Sequence, residues 1–451
     1  MLLSILLLGL AGSGELFASN GYFNHGMGTK NKAMAGAGIA SPDEAMAMVN
    51  NPAVALAVAG RSEIGLAVFF PSSSYETTGT PENGQNGAFT IGPGNLDAED
   101  QTLLVPYFAR SWQLGDDSAF AAALYTRSGI NTEYRGGTAT FDPDGPGPAP
   151  VTTQPGTLGD GDVKWKLSQA LLDLGYARQV TERVSLGASA VLATQSFSIR
   201  GVGTLAPLTQ TWASSGGSEL PGHLSGNGSD RSFGAGLKLG AHFQWTPKLS
   251  LGLMAQSKIY LSDLSDYSDL LPSGGNFDIP ANLKLGLSWR FLDNAVFSID
   301  TEYIFYSDVE ALGNSGRDLR QCPTAGYGGT DLSACLGGSN GAGLGWKNVP
   351  VYKFGLDWKV SQNWNLRGGF SFGDQPVGTS EASNNLFTPY LAESTYTFGF
   401  SRAIGAGREL NFAVMYTEEE SHLQRSAFDP SQLLYYDHSE FELELSFGWR
   451  F

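Results

Sequence analysis

The feature that most constrains this chain is a strict alternation of apolar and polar residues at its C-terminal end. A period of two predicts a β-strand with two chemically different faces. The run spans residues 440–451, about twice the length of an average soluble strand, whereas crossing membrane hydrocarbon takes about nine to eleven residues. The pattern therefore favours a membrane-spanning strand. Its apolar face consists of Phe441, Leu443, Leu445, Phe447, Trp449 and Phe451.

The same alternation recurs along the chain, for example at residues 283–291 and 352–360. No later stretch reaches the roughly eighteen consecutive apolar residues expected of a membrane-spanning helix. Counting the alternating segments gives an even number of predicted strands, as bacterial barrels require. The fourteen strands are predicted near 61–75, 100–114, 117–135, 161–179, 183–203, 230–246, 248–262, 276–292, 295–311, 349–361, 363–377, 393–404, 408–422 and 438–451.

The connections between these segments alternate between short turns and long loops. Short turns at one rim and long loops at the other are typical of a barrel in the bacterial outer membrane, with periplasmic turns and extracellular loops. We therefore predict an all-β fold, a fourteen-stranded antiparallel transmembrane β-barrel. The predicted long loops are 76–99, 136–160, 204–229, 263–275, 312–348, 378–392 and 423–437.

Composition agrees with this fold class and excludes others. The formal net charge of −17 argues against a nucleic-acid partner, which needs a basic surface. Only 16% of residues are charged, while 12% are aromatic and 59 are glycine, as suits a β-rich chain with aromatic girdles. Two cysteines are too few for a disulfide scaffold or a multi-cysteine metal site. We expect no metal and no cofactor.

Residues 1–18 have the character of a secretory signal peptide. Residues 1–11 form an apolar run that is too short to span a bilayer, and small residues follow up to a cleavage point after Ala18. No lysine or arginine precedes the apolar run, which is a departure from the usual signal. The alternative is a buried N-terminal helix.

Residues 19–60 do not alternate and are rich in glycine, alanine and methionine. Ser41, followed by Pro42 and Glu44, predicts a capped helix start, and Asn51-Pro52 ends that helix. A segment of this kind ahead of a barrel, 61–451, suggests a partly helical hatch that plugs the lumen. The alternative is a disordered periplasmic tail.

Cys322 and Cys335 both lie in the longest predicted loop. In an oxidising compartment they would pair and close a loop of about fourteen residues, worth on the order of 3 kcal/mol. Two unpaired thiols are the alternative.

Several segments in chain order resemble the FadL family of outer-membrane transporters for long-chain fatty acids and aromatic hydrocarbons. The glycine-rich stretch 33–40 and Asn51-Pro52-Ala53 look like the hatch of that family. Residues 128–134, SGINTEY, look like its kinked third strand. Trp346-Lys347-Asn348 and the run 373–377 are similar to a later family block.

The resemblance implies a hatched barrel from which a hydrophobic ligand leaves sideways, through an opening made by the kinked third strand. It points to Gly129 as the kink, although glycines are common throughout this chain. Asn51, with Pro52 and Ala53, is expected to be the hatch residue nearest the kink, where its amide would satisfy freed backbone groups. Asn51-Pro52 as a simple helix stop is the alternative.

Arg200 ends the fifth strand about where the family places a basic ligand for a carboxylate head group. A guanidinium suits a carboxylate; the alternative is a rim arginine that binds lipopolysaccharide or a loop acid. The second basic residue of the family has no match near residues 310–313, which leaves room for a less polar substrate. Nearby Phe197 and Ile199 break the polar face of this strand, so either a bulge resets the alternation or the lumen is apolar there.

The resulting expectation is passive uptake of hydrophobic compounds, with long-chain fatty acids first and aromatic or alkane hydrocarbons as the alternative. A plain polar-solute porin is a further alternative, but a porin would not need a hatch. The five histidines include no arrangement with a nucleophile that would indicate an enzyme. Expected partners are the hydrophobic ligand, outer-membrane lipid and lipopolysaccharide, and the barrel is expected to be a monomer.

Overall fold

The computed structural model describes residues 20–78, 89–99, 101–141, 148, 150–378, 381, 385–386, 388, 394–425 and 432–451. The predicted signal peptide, residues 1–18, lies outside this range. No helix among the described residues is long and apolar enough to cross a membrane.

Fourteen long strands within the described residues form one antiparallel barrel, as predicted. Each strand pairs with the next, and the first pairs with the last from Arg61–Arg450 to Thr78–Leu433, so that the sheet closes. The strands are β1 Arg61–Thr78, β2 Leu103–Gln113, β3 Ser118–Tyr134, β4 Val163–Thr181, β5 Val184–Arg200, β6 Asp230–Thr246, β7 Leu249–Gln256, β8 Asn282–Leu292, β9 Ala295–Ile304, β10 Val349–Lys359, β11 Trp364–Gly373, β12 Ser394–Gly405, β13 Arg408–Arg425 and β14 Leu433–Arg450.

The smaller elements lie in the N-terminal segment and in the loops. Short strands are Phe89–Ile91, Gly94–Asp97, Thr138–Phe141, Thr152–Pro155 and Tyr260–Leu261. The α-helical turns are Thr29–Lys32, Ala47–Asn50, Gln210–Ser214, Pro272–Gly275 and Glu310–Gly313. The 3₁₀ turns are Pro52–Val54, Gly203–Leu208, Ser265–Tyr267, Tyr306–Asp308, Gly316–Gln321, Pro323–Ala325 and Leu332–Ala334.

Three strands are shorter than predicted at their long-loop ends. β7, β8 and β9 were expected over 248–262, 276–292 and 295–311, but β7 ends at Gln256, β8 begins at Asn282 and β9 ends at Ile304. After Gln256 the chain pairs with β6 again only at Tyr260–Leu261. The apolar residues that continued the alternation, such as Ile259 and Tyr306, turn inward and are fully buried under the loops. Apolar residues are favoured both in a loop core and in a membrane. The alternation of apolar residues therefore continued past the true ends of these strands, and the predicted strands were too long.

The extracellular loops pack on one another through an apolar core. Phe197 on β5 contacts the rings of Trp165, Tyr267 and Phe277, with centroid distances of 5.0, 4.9 and 6.2 Å. A disulfide joins Cys322 to Cys335 in the loop between β9 and β10.

The N-terminal segment, residues 20–60, lies within the barrel and bonds to inward-facing groups around its circumference. Asp300 on β9 accepts hydrogen bonds from the backbone N–H groups of Gly38 and Ile39, both at 2.8 Å. On the other side of the lumen, Thr29 donates its hydroxyl to Glu444 on β14 at 2.7 Å. The segment is therefore held from opposite walls.

The predicted helix over residues 41–49 is wrong in its extent, because only Ala47–Asn50 is helical. Glu44, expected to complete a capping box with Ser41, instead accepts the backbone N–H groups of Lys30 and Asn31, at 2.9 and 2.8 Å. Its carboxylate thus serves the start of the earlier turn Thr29–Lys32. Met46, Met48 and Val49 are buried.

Buried ion pairs fix this segment to the wall. The ammonium of Lys32 contacts Glu442 and lies 2.6 Å from Glu444, both on β14. Burial lowers the pKa of Lys32, but attraction by these two carboxylates outweighs burial and raises the pKa above its ordinary value. Lys32 therefore remains charged and prevents two buried carboxylates from repelling each other.

Replacing Lys32 with Met is expected to loosen the N-terminal segment. Removing one partner of a buried ion pair lowers the free energy of unfolding by about 3–5 kcal/mol, because the other partner is left as an uncompensated buried charge. We expect a lower Tm and a higher ion conductance of single proteins in planar bilayers. Lys248→Met is the matched control, since Lys248 is exposed and 3.5 Å from Asp293. Equal conductance and Tm in both variants would refute the role of Lys32.

Candidate functional site

The wall of the barrel is open between β2 and β3 at the long-loop end. These strands pair from Gln113–Ala119 only as far as Tyr107–Tyr125. Beyond that point β2 remains paired to β1, and β3 remains paired to β4 up to Tyr134. All residues of 101–141 are described, so residues 103–106 and 126–132 border a real gap in the ladder. The gap closes again beyond them, where the backbone N–H of Glu99 donates to the Glu133 carbonyl at 2.8 Å and Ala98 pairs with Tyr134.

A β-bulge in β3 lies at the start of this gap. The register against β4 shifts between Thr126 and Ser128, which makes Arg127 the extra residue. A bulge bends its strand and increases the local twist, so β3 turns away from β2 here. The kink predicted at Gly129 is therefore centred two residues earlier, and Gly129 lies on the margin of the gap. A Cβ at Gly129 would meet only the Leu103 side chain on β2, at 3.7 Å.

The N-terminal segment contacts the kink through residues 23 and 24. The Asn24 amide donates to the backbone carbonyl of Thr126 at 3.1 Å. The Arg127 guanidinium lies 3.8 Å from the centroid of the Phe23 ring and donates to Gln256 on β7 at 3.1 Å. A carbonyl left without a ladder partner is thus satisfied by the segment inside the barrel.

Asn51 does not perform this task, contrary to expectation. It donates its amide to the backbone carbonyl of Ala241 on β6 and accepts the backbone N–H of Ala53, both at 3.1 Å. Pro52 and Ala53 pack against Gly187 on β5, where a Cβ would lie 2.4 Å from the Ala53 nitrogen. The Asn-Pro-Ala turn therefore contacts β5 and β6 and lies away from the gap.

A cavity of about 880 Å³, including the space at its mouth, lies between the N-terminal segment and the gap. Gly129 is at its margin, and strands β1, β2, β3 and β14 contribute to its wall. Much of the lining is apolar or aromatic, and it includes Tyr22, Phe23, Phe69, Leu103, Val105 and Ile130.

The ionisable side chains that line this cavity include glutamate and histidine. Glu99, Glu440, His25 and His438 line it, and none of its described lining residues is a lysine or an arginine. Burial, with help from nearby Lys353 and Lys32, lowers the pKa of His25 to about 3, so its imidazole is neutral. The cavity therefore offers carboxyl groups and neutral hydrogen-bonding groups, but no basic side chain.

Arg200 points away from Phe197 and Ile199. The pairing of β4 with β5 is unbroken from Lys164–Arg200 to Gln179–Ser185, so no bulge resets the alternation. Phe197 and Ile199 are buried on the inner face, while Arg200 is about half exposed on the outer face and bonds Glu133 at 2.7 Å. The lumen is apolar near this end, and the predicted grouping of these three residues in one site is wrong.

Sequence reasoning missed the three residues that join the N-terminal segment to the kink: Phe23, Asn24 and Arg127. Burial in the structure shows the change at Arg127, because inward residues are odd-numbered up to 127 and even-numbered from Ile130 onward, but the sequence does not show it, since alanine occurs on both faces at 119–123. That change of phase marks a bulge. Nothing local marks Phe23 and Asn24, whose partners lie about a hundred residues away.

Comparison with known proteins agrees with this architecture. Residues 14–145 match the family described as Outer membrane protein transport protein (OMPP1/FadL/TodX). No protein of curated function matches the chain in sequence.

Solved structures share the fold at low sequence identity. The P. putida toluene transporter TodX has a TM-score of 0.65 and 18% identity, over 95% of this chain and 99% of that chain. The Ralstonia pickettii toluene transporter TbuX has a TM-score of 0.59 and 19% identity, over 95% and 99%. A Pseudomonas aeruginosa FadL homologue has a TM-score of 0.62 and 16% identity, over 96% and 100%.

The family match covers residues 14–145, less than a third of the chain, and the solved structures share the fourteen-stranded barrel, so the chain is similar to the OMPP1/FadL/TodX family in that segment and in its fold.

Proposed function

We propose that the protein passively takes up neutral hydrophobic small molecules, which leave the barrel sideways through the gap between β2 and β3. The observation that carries this proposal is the cavity at the gap, which is lined in part by apolar and aromatic side chains and has no lysine or arginine among its described lining residues. Toluene, for which the transporters TodX and TbuX are named, belongs to this class.

The sideways route has a physical reason. A hydrophobic molecule gains free energy when it passes from an apolar cavity into the membrane without re-entering water. On the lipid side of the gap, Leu104 and Phe108 are exposed on the outer face of β2. Apolar surface is therefore available on both sides of the opening.

The chemistry of the cavity distinguishes neutral ligands from fatty acids. A carboxylate leaving water needs a cation or several donors to replace its hydration. Here the ionisable neighbours are two carboxyl groups and two histidines, and Arg200 faces the outside. Long-chain fatty acids are therefore the less favoured class.

We further propose that the N-terminal segment acts as the hatch, with Asn51, Pro52 and Ala53 as its anchor on β5 and β6. Its ion pairs fill the lumen, which argues against a wide path for polar solutes. Phe197 and Ile199 would line the apolar entrance from the loop side, while Phe23 and Asn24 separate the lumen from the gap.

Gly129→Val is expected to slow uptake of a neutral hydrocarbon such as p-xylene. Valine methyl groups would extend from a Cβ that already lies 3.7 Å from Leu103, so they would narrow the gap. An overpacking cost of about 1–3 kcal/mol at the narrowest point corresponds to a fall of roughly tenfold to a hundredfold. The measurement is initial uptake by cells with equal surface expression.

Gly368→Val is the control for that experiment. A Cβ at Gly368 on β11 meets only the Thr397 carbonyl oxygen, at 3.8 Å, so the added bulk is similar but far from the gap. Equal uptake by the two variants would exclude the gap as the exit, and uptake of sugars instead of p-xylene would indicate a porin.

The preference for neutral ligands is tested with ligand pairs that share one skeleton. We expect saturable uptake of p-xylene and hexadecanol, and little uptake of 4-methylbenzoate and palmitate. Equal uptake of the neutral and the carboxylate member of each pair would overturn the preference but keep the route.

Gln101→Arg is expected to add carboxylate uptake. Gln101 lines the cavity from the segment before β2, and an arginine there would supply a bidentate partner for a carboxylate. Such pairs are worth about 1.5–3 kcal/mol, so uptake of 4-methylbenzoate should rise roughly tenfold while p-xylene is unaffected. Gln113→Arg, at the exposed periplasmic end of β2, is the control. No change in 4-methylbenzoate uptake would count against a passage through this cavity.

A further inference from the structure

Four basic side chains are grouped on the outer face of three adjacent strands, near their extracellular ends. Alternation along β4 turns Trp165 and Leu167 inward, so Lys164 and Lys166 point outward. Arg200 on β5 pairs in register with Lys164, and Arg231 on β6 lies opposite Ser196, two residues from Ser198, the partner of Lys166. With strands about 4.8 Å apart and about 3.3 Å per residue, the Cα atoms of Lys164 and Arg231 lie about 16 Å apart, so the four side chains share one area of the outer wall. We call Lys164, Lys166, Arg200 and Arg231 the basic patch.

A buried carboxylate organises part of this patch. Glu133 on β3 is 3% exposed in its side chain and receives Lys164 and Arg200, each at 2.7 Å. Arg135, beyond the end of β3, also contacts Glu133 at 3.3 Å and Glu99 at 3.6 Å. One carboxylate thus holds cations side by side at a fixed spacing. Lys166 and Arg231 are both exposed, and neither forms an ion pair with an acidic side chain of the described residues.

The position of the patch relative to the membrane is defined by the outward apolar residues. On β6, the outer face runs from Trp245 through Leu239 and Leu237 to Phe233, all more than half exposed. Arg231 is the next outward residue above Phe233. The basic patch therefore begins where the hydrocarbon band ends, at the level of lipid head groups.

At the same height on the outer wall, strands β8, β9, β10 and β12 carry uncharged residues instead of basic ones. On these strands, large exposed residues of the outer face close to the loops are uncharged: Leu283, Tyr303, Tyr352 and Tyr396. The chain as a whole carries a net charge of −17. A concentration of cations at one height on three neighbouring strands is therefore not a consequence of composition.

From this geometry we infer that the basic patch binds the phosphate groups of lipid A, the phosphorylated glycolipid of the outer leaflet. Guanidinium groups match phosphate in a bidentate manner, and ammonium groups add point charge. The acyl chains of the same lipid would lie against Leu192 and Phe233 below the patch, which are 47% and 63% exposed. This interaction is independent of the transported ligand.

The test compares the full chain with two triple variants in detergent. Lys166→Gln, Arg200→Gln and Arg231→Gln together remove three charges of the patch and leave Lys164 to neutralise Glu133. Lys248→Gln, Arg290→Gln and Lys359→Gln remove three exposed charges from the periplasmic end. Native mass spectrometry measures the Kd for purified bisphosphorylated lipid A.

We expect the patch variant to bind lipid A at least tenfold more weakly than the other two proteins, since each basic residue near an anionic surface contributes about fivefold. Lipid A stripped of its phosphates should bind wild type as weakly as it binds the patch variant. Inorganic phosphate and phosphatidylglycerol should not compete at lipid A concentrations that saturate the site.

Three results would overturn the assignment. They are equal lipid A affinity in both triple variants, equal affinity of wild type for dephosphorylated lipid A, and competition by inorganic phosphate or phosphatidylglycerol at matched concentration. Uptake of p-xylene by the patch variant should remain at the wild-type level, so a failure of the transport proposal is distinguished from a failure here.

Discussion

A strand inside a bilayer must find a partner for every backbone N–H and C=O, because hydrocarbon offers none. Most junctions in this barrel meet that demand through pairing of the two strands along their length, as between β4 and β5. The junction between β2 and β3 does not, and the structure around it can be understood from that deficit. The Thr126 carbonyl, at the point where β3 bends away, is satisfied by Asn24 from inside the barrel. The opening in the wall and the segment in the lumen therefore depend on each other.

This dependence explains why the lumen is filled with charge. A segment that must hold Asn24 and Phe23 against the kink has to be fixed at several other points. Three contacts supply those points. Lys32 lies between Glu442 and Glu444, Asp300 accepts the backbone N–H of Gly38, and the turn at Asn51 packs against Gly187 and Gly240. Buried ion pairs contribute little net stability, but breaking one of them is expensive. They therefore serve to define one position of the segment rather than to strengthen the barrel.

The sequence predicted the barrel well because alternation is imposed by two solvents, lipid outside and a polar lumen inside. It predicted the site less well, for reasons specific to each residue. Asn51 was expected to contact the kink of β3. Its partner is set by the strands against which its turn packs, which are β5 and β6. The capping box of Ser41 and Glu44 was predicted from residues close in sequence. In the fold, the Glu44 carboxylate instead accepts hydrogen bonds from the backbone N–H groups of Lys30 and Asn31. Arg200 was a different kind of error, since counting from Phe197 and Ile199 already places it on the opposite face.

The distribution of basic residues connects these observations. Inside, Lys32, Lys238 and Lys353 are all committed to carboxylates of the wall at 2.6–2.7 Å. The described lining of the cavity at the gap has none. Outside, Lys166, Arg200 and Arg231 lie at the level of lipid head groups. A cation in that lining would give an anion the partner that the described lining residues do not offer. Arg127 at the bulge is the cation nearest the gap, and its guanidinium is directed to the Phe23 ring and to Gln256 and does not line the cavity. This distribution is the basis for proposing uncharged ligands.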